Sequence, residues 1–565
     1  MSISGNSDLT TLKVMNKILV PKQILTFLLF ACSTIICTAQ TKTSNLIKIK
    51  IFNYPVLKGK DDNPVLRIEI SGNQDKSVVN ALKVNLKNTA LSNLNNIRVY
   101  YTGQDSLFNT KMLFGNPIKP TKNAVVKGQR ELIEGKQYFW VSYELSEKCK
   151  LSAKMAVDVD FVQIANKRIT AINKQGKNSL RVGMALRQHN DDKVHTYRIP
   201  GLTTTNAGTL LAVYDVRWDS KRDLQGNIDI GVSRSVNGGE TWEPMRIALD
   251  MKKWGSLPEK FNGVSDACIS TDENTGAIYI AGLWMHGVIN AEGKWVEGLT
   301  EKSEDWNHQW RNKGSQPGLG VKQTSQVLIT KSVDDGKTWS EPINLTPMLK
   351  KPEWWLLAPA PGHGITLKDG TLVFPTQGRD ERGRSFSNIT YSKDGGKTWK
   401  TSNPAHSNTT ENMAVELSDG SIMLNMRDNR NSTDKSATNG RSVAVTTNLG
   451  ETWTEHPTSR GALIEPTCMA SIHAHNYTNS KGETSRILFF SNPNSKYKRH
   501  KQTIKMSLDD GKTWPEKYWI ELDEGSGGGY SCLTSIDNNT IGIVYEGSQA
   551  HMTFQKIDIK DLLEK

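Results

Sequence analysis

An eight-residue phrase recurs along this chain: SVDDGKTW at 332–339, SKDGGKTW at 392–399 and SLDDGKTW at 507–514, with looser copies SVNGGETW at 235–242 and TTNLGETW at 446–453. Repetition of this kind constrains the fold before any single residue does, because each copy marks one repeat of the same supersecondary unit. The shared frame is Ser/Thr-x-Asp/Asn-x-Gly-x-Thr-Trp. Asp or Asn bonds backbone amides two residues on and closes a turn, while Gly accepts the positive φ that tight hairpins demand. The phrase is a turn with a hydrophobic anchor. A strand is expected to begin at its Thr-Trp, with each ring buried between neighbouring sheets.

The flanking residues point the same way. Short alternating or apolar runs precede the turns, as in Ile228-Asp229-Ile230-Gly231-Val232 and Gln326-Val327-Leu328-Ile329, and Asp-Gly hairpins at Asp369-Gly370 and Asp419-Gly420 separate others. The chain is expected to be all-β. Its tryptophans fall 97 residues apart from Trp242 to Trp339, then 60 to Trp399, 54 to Trp453 and 61 to Trp514. A four-stranded propeller blade takes about 40–50 residues plus loops, so the three later intervals fit one blade each. The first interval requires either a blade lacking the phrase or a large insertion, and residues 284–320, rich in Trp, Gly, Asn and charge, fit the insertion.

The rest of the chain divides readily. With 565 residues, 23% charged and 36% hydrophobic, it is too long for one small domain and too balanced for disorder. Lys13, Lys17 and Lys22 precede an apolar run from Ile24 to Ile36, and Cys37-Thr38-Ala39 offers a cleavage site before Gln40. Residues 1–39 therefore read as an export signal, placing the mature protein in the periplasm, on the cell surface or outside the cell; Cys32 is an alternative lipid acceptor. No other segment is long and apolar enough to span a bilayer. Residues 40–178 lack the phrase and carry alternating runs such as Val65-Leu66-Arg67-Ile68-Glu69-Ile70 and the stretch from Tyr138 to Leu145, the pattern of a β-sandwich of carbohydrate-binding type. Trp140, in the second run, suits a core position better than a sugar-stacking platform.

Composition excludes several functions. Cys149, Cys268, Cys468 and Cys532 form no C-x-x-C pair, so neither zinc nor redox chemistry is indicated. The net charge of +13 suits an anionic substrate, but the lysines are dispersed and leave no nucleic-acid footprint. No metal ligand cluster appears and no cofactor is expected.

With the repeated turns, the motif Tyr197-Arg198-Ile199-Pro200 stands ahead of the first expected blade. On these features residues 185–555 resemble the bacterial exo-α-sialidases, the neuraminidases with Asp-box (BNR) repeats, although the family's usual motif has Phe where Tyr197 stands. The resemblance implies a six-bladed β-propeller over residues 179–565 and hydrolysis of terminal α-linked sialic acid from glycoproteins, glycolipids and oligosaccharides. Sialic acid carries a carboxylate on its anomeric carbon, which guanidinium groups match bidentately. Arg198, Arg427 and Arg499 are the implied clamp.

A carboxylate nucleophile would be repelled by the substrate's own carboxylate, and sialidases are among the retaining glycosidases that use tyrosine. Tyrosine, with an ordinary pKa of about 10, needs a partner to take its proton. Tyr530, after Gly527-Gly528-Gly529, is the implied nucleophile and Glu411 its partner, with Glu416 as competitor; alternation puts the two glutamates on opposite faces of a continuous strand. Asp223, in the Asp-rich run from Tyr214 to Gln225, is the implied general acid/base, a role for which the residues alone do not separate it from Asp219. Arg217 and Asp266 are implied substrate contacts. A sialoglycan lectin on the same scaffold, a sialyl transferase, an anhydro-product lyase and an Asp-box hydrolase for another sugar are the competing readings.

Overall fold

A computed structural model describes residues 47–564 apart from 73–75, 171–172, 225, 255–258 and most of 288–314. The expected signal over 1–39, with Cys32 and Cys37, lies outside the described residues. Their architecture is all-β, as the periodicity requires, with helices no longer than four residues. None of those helices is long and apolar enough to cross a membrane.

Two sheets form from the N-terminal third. One orders Asn173–Gln175, Ile47–Ile51, Asn63–Gly72, Gly135–Leu145 and Leu94–Gly103 side by side; the other orders Lys167–Ile169, Asp158–Ile164, Val78–Asn85 and Ala124–Glu131. The strand IKIKI shows why they pack: Ile47, Ile49 and Ile51 are buried, while Lys48 is exposed and Lys50 half-buried. Ile49, Ile68 and Val141 from the first sheet and Leu82, Val126 and Val162 from the second belong to the same hydrophobic core. Trp140 is only 3% exposed and stacks on Phe52 at 5.0 Å between ring centroids, so it is a core residue.

The remaining strands fall into six antiparallel meanders. The first runs Thr196–Thr204, Leu210–Arg217, Ile228–Ser235 and Arg246–Leu249. The second runs Asn262–Thr271, Ile278–His286, Gln326–Ser332 and Ile343–Asn344. In the third, Leu356–Pro359 and Ile365–Thr366 both pair with Leu372–Arg379, followed by Ser385–Ser392 and Lys400–Thr401. The fourth comprises Thr409–Glu416, Ile422–Asp428, Ser442–Thr446 and Thr454–Glu455, and the fifth Ser471–Thr478, Thr484–Pro493, His500–Ser507 and Trp519–Ser526. The sixth joins Ser531–Asp537, Thr540–Tyr545 and Met552–Asp558 to Ser179–Arg187, a strand drawn from far earlier in the chain. The leading strands of successive meanders touch one another, and that of the sixth touches that of the first, so they close a ring. Strand Ser179–Arg187 also pairs with Val56–Lys58 and Lys154–Ala156, tying the N-terminal third to this ring.

The 97-residue interval is thereby explained. Between Trp242 and Trp339 lie the last strand of the first meander and the first three of the second, one repeat in all, and the extra residues separate the second and third strands of the second meander, from His286 to Gln326. Residues 284–286 belong to the second strand, and most of the remaining insertion falls outside the described residues.

Each repeated phrase is a self-bonded turn. In the copy at 332–339, Gly336 N donates to Ser332 Oγ at 3.0 Å, and Asp334 accepts from Thr338 N at 2.9 Å and Thr338 Oγ1 at 2.6 Å. The indole nitrogens of Trp242, Trp399 and Trp514 each donate to the carbonyl of the phrase's last glycine at 3.1 Å. Trp242 then packs on Phe554 of the sixth meander, and Trp399 on Tyr279 of the second, so the rings reach between sheets. Only Trp399 and Trp514 are fully buried. The strand after each turn is delayed by at least one residue and in three copies is only two residues long.

Candidate active site

The leading strands are interrupted where the singled-out residues sit. Pairing slips between Arg198 and Gly201, between Ser265 and Cys268, and between Thr409 and Asn412, while in the fifth meander it slips between His500 and Gln502, just after Arg499. A bulge turns a side chain out of the ladder's alternation. Ile199, Asp266 and Thr467 all take positive φ, of 61°, 57° and 55°. For β-branched Ile199 and Thr467 this is strained backbone, held by what surrounds it.

Five residues from four meanders converge. The Tyr530 hydroxyl donates to Glu411 Oε1, and Arg427 Nη1 lies 2.5 Å from Glu411 Oε2 and 3.1 Å from the same hydroxyl. Arg198 and Arg499 flank the ring, their guanidinium carbons 5.6 and 5.4 Å from its centroid. Arg499 is braced by donating to Gly528 O at 3.0 Å and Thr467 O at 3.2 Å. Burial and the Glu411 charge push the Tyr530 phenol well above its ordinary value, with Arg427 and Arg499 opposing them, so the resting hydroxyl is protonated.

A second group stands beside the first. Arg217 is fully buried and directs Nη2 to Asp215 Oδ2 at 2.8 Å and to Asp223 Oδ1 at 2.6 Å. Asp223 is 70% exposed in its side chain, while Asp266 is buried and donates its amide to Asp215 Oδ1 at 3.1 Å. Asp219 is exposed and Glu416 lies at the far end of the Glu411 strand, accepting from the Lys368 amide. Burial, with Asp215 and Glu411 nearby, raises the Asp266 carboxyl well above the usual carboxylate range. The Asp215 carboxyl is pushed up to about 7 by burial, against the pull of Arg217.

Two carboxylates in this arrangement carry no recognisable motif. Asp215 anchors Arg217. Glu546 receives Arg198 Nε at 2.5 Å, Ile199 N at 2.8 Å and Tyr530 N at 3.1 Å, fastening Arg198 and the tyrosine together. Burial alone would raise the Glu546 carboxyl, but Arg198 and the two amides outweigh it and hold it below the usual range. The only local signal was a polar residue closing the apolar strand Thr540–Tyr545; its partner Arg198 is 348 residues away.

The glycines before Tyr530 make room for this pair. A Cβ at position 528 would lie 2.0 Å from Glu546 Oε2 and 3.0 Å from Arg198 Nε, whereas one at Gly461 would meet nothing within 4 Å. Gly528→Ala is therefore expected to destabilise the protein by about 1–3 kcal/mol in denaturant unfolding, with Gly461→Ala nearly silent.

Among the described residues no group of three or more His, Cys, Asp or Glu side chains is placed to hold a metal ion. The four described cysteines are buried and free. What remains is a neutral phenol bonded to a carboxylate inside a ring of guanidinium groups, with a solvent-facing carboxyl nearby, a chemistry able to seat an anion beside a hydroxyl and a carboxyl that exchange protons.

A family described as "BNR repeat-like domain" matches residues 199–517, and "N-terminal domain of BNR-repeat neuraminidase" matches residues 44–168. A sialidase of Bacteroides fragilis is 39% identical over 573 aligned residues, covering 96% of this chain and 100% of the relative. A sialidase of Micromonospora viridifaciens is 32% identical and covers 62% of this chain; the match spans half of that longer protein. Among solved structures, the Hadza microbial sialidase Hz136 superposes with a TM-score of 0.81 at 38% identity, covering 91% of this chain and 100% of that one. A leech intramolecular trans-sialidase shares the fold alone, with a TM-score of 0.53 at 16% identity over 86% of this chain and 94% of its own. On the extent of these matches, the chain belongs to the BNR-repeat sialidases and is a glycoside hydrolase, an exo-sialidase.

Proposed function

We propose that this protein is an exported exo-α-sialidase that removes terminal α-linked sialic acid from glycoproteins, glycolipids and oligosaccharides with retention of configuration, using Tyr530 as nucleophile. The observation that carries this reading is the Tyr530 hydroxyl bonded to Glu411 and Arg427 between Arg198 and Arg499. The six meanders are the blades of a β-propeller over residues 179–565, closed by Ser179–Arg187, with a β-sandwich over residues 40–178 ahead of it.

Arg198, Arg427 and Arg499 bind the substrate carboxylate, which places the anomeric carbon over the phenol. Glu411 takes the phenolic proton as the oxygen attacks that carbon, and Asp223 gives a proton to the departing glycosidic oxygen. Water then attacks the same carbon and passes a proton to Asp223, and Tyr530 leaves and recovers its proton from Glu411. Two displacements restore the original configuration. Arg217 and Asp266, held together by Asp215, contact the ring substituents of the sugar. A substrate group occupying Arg217 releases Asp223 to turn toward the glycosidic oxygen.

Proton NMR of the first product from an α-sialoside tests the whole reading. Free sialic acid appearing first as the α-anomer is expected. The β-anomer first would exclude double displacement, and an anhydro or transferred product would replace hydrolysis with the lyase or transferase reaction. The acid has its own check. Asp223→Asn should lower kcat/KM on a natural sialyl-oligosaccharide by roughly 10²–10⁴-fold, but far less on an aryl sialoside whose leaving group needs no proton. Equal losses on both substrates would remove Asp223 from the role.

A further inference from the structure

The leading strands that carry the proposed active site at one end run to a second cavity at the other. Arg198 stands near the start of Thr196–Thr204, Glu411 near the start of Thr409–Glu416, and Tyr530 just before Ser531–Asp537. Thr204, Glu416 and Ser535, at or near the far ends of these strands, line a cavity of about 890 Å³. That volume lies within the roughly 300–1,000 Å³ usual for small-molecule sites.

Three histidines give this cavity its chemistry. His363 Nδ1 lies 2.9 Å from Gly364 O, and a carbonyl only accepts, so Nδ1 carries the proton and Nε2 is a bare acceptor. His363 is 5% exposed, yet Nε2 has no hydrogen-bond partner among the described residues. By the same logic His475 Nε2, 3.1 Å from Asn538 O, is the donor, so its Nδ1 accepts from the Ser535 hydroxyl at 2.8 Å. The Ser535 oxygen in turn accepts from His473 Nε2 at 2.8 Å, leaving His473 Nδ1 as a second bare acceptor. The His363 and His473 rings stand 5.2 Å apart. Burial pushes all three imidazoles below their ordinary value, His363 to about 4, so they are neutral at pH 7.

The threonines add one free lone pair each: Thr204 Oγ1 donates to the Ser535 carbonyl and lies 3.1 Å from Thr534 Oγ1, and Thr366 Oγ1 donates to Thr271 O at 2.8 Å and accepts from Glu273 N at 3.3 Å. The two bare imidazole nitrogens call for a ligand that brings donors. Its charged groups, Glu273, Glu416 and Asp537 against Lys368 and Arg486, leave no positive excess to draw an anion. We propose that this second mouth of the ring is a binding site for a neutral hexose unit, whose hydroxyls donate to His363 Nε2 and His473 Nδ1, separate from the site that takes sialic acid.

The test is saturation-transfer NMR of lactose on the full chain with the catalytic pocket filled by an unsaturated sialic acid analogue. Transfer to lactose should persist with the analogue present and fall at least fivefold in His363→Phe, which keeps a ring of similar shape, and in the isosteric Thr204→Val. Both variants should keep kcat/KM on an aryl sialoside within twofold of the parent, which also reports that they fold. No transfer in the parent, transfer abolished by the analogue, or transfer unchanged in both folded variants would overturn the proposal. Competition by inorganic phosphate or by Zn²⁺ alone would overturn it in favour of an anion or a metal site.

Discussion

Tyr530→Phe is expected to lower kcat on an α-sialoside by roughly 10³–10⁵-fold while leaving KM within a fewfold, the pattern of a group that works only in the transition state. The substitution keeps the ring between Arg198 and Arg499, at 5.6 and 5.4 Å from their guanidinium carbons, and keeps the 2.5 Å ion pair of Arg427 with Glu411. It removes one oxygen, the atom proposed to bond the anomeric carbon. Steady-state kinetics with a fluorogenic sialoside measures the split, and mass spectrometry after trapping with a fluorinated sialoside reads the covalent adduct directly. An unchanged kcat with a raised KM would make the hydroxyl a binding group and pass the nucleophile's role to another residue. The resting phenol is protonated, so Glu411→Gln should reproduce much of the loss by removing the acceptor of that proton.

Arg441→Met carries the largest expected effect on stability. Arg441 and Glu465 are both fully buried, with Arg441 Nη1 2.6 Å from Glu465 Oε2 and 2.7 Å from Cys468 O, and Nε 2.7 Å from Asn425 Oδ1. Glu465 Oε1 accepts from Asp428 N at 2.8 Å and Asn431 Nδ2 at 2.7 Å. Removing only the cation leaves the carboxylate uncompensated in the interior, at a cost of about 3–5 kcal/mol. The pair also spans two parts of the clamp: Asp428 follows Arg427, and the Glu465–Cys468 segment contains Thr467, whose carbonyl braces Arg499. Chemical denaturation should register the loss, and KM for sialosides should rise with it. Replacing both residues by apolar ones should recover much of the stability, because the penalty comes from the orphaned charge.

Much of this architecture was legible because it is local. A turn written within eight residues specifies its own hydrogen bonds, so the five phrases announced repeated β-units, and the alternation IKIKI announced a half-buried strand. Trp140 read as core because it sits in an alternating strand, and it is buried against Phe52. The fork between insertion and missing blade was open because a hydrophobic pattern counts strands poorly where a long polar segment intervenes. The strand from Ile278 to His286 closes it in favour of insertion.

The site divides along the same line. Tyr530, Glu411 and the three arginines stood inside recognisable segments and lie together. Alternation alone did not choose between Glu411 and Glu416; the slip in pairing between Thr409 and Asn412 turns the first toward Tyr530, while the second stays at the strand's other end. Asp215 stood inside the Asp-rich run, two residues from its partner Arg217, where residue type alone gave it no role, and Glu546 was invisible because a lone carboxylate after an apolar strand has no local partner. Glu546 finds Arg198 only when the ring closes. The glycines before Tyr530 were legible as permitting close approach, but what approaches is Glu546 and the clamp.

That closure has a consequence for how the protein reaches its active form. The strands that seal the ring come from positions such as Val182 and Gln555, 373 residues apart in sequence. Contacts of such separation form late, since loop-closure entropy must be met before they return any stabilisation. A chain emerging N-terminus first can assemble five meanders while Ser179–Arg187 waits unpaired on one edge, exposed to mispairing with another copy. Arg198 meanwhile has no Glu546, and Tyr530 has no place. Catalytic competence therefore arrives as one late event, when Met552–Asp558 docks, and a nascent or truncated chain lacking that strand is both inactive and open to edge-to-edge association.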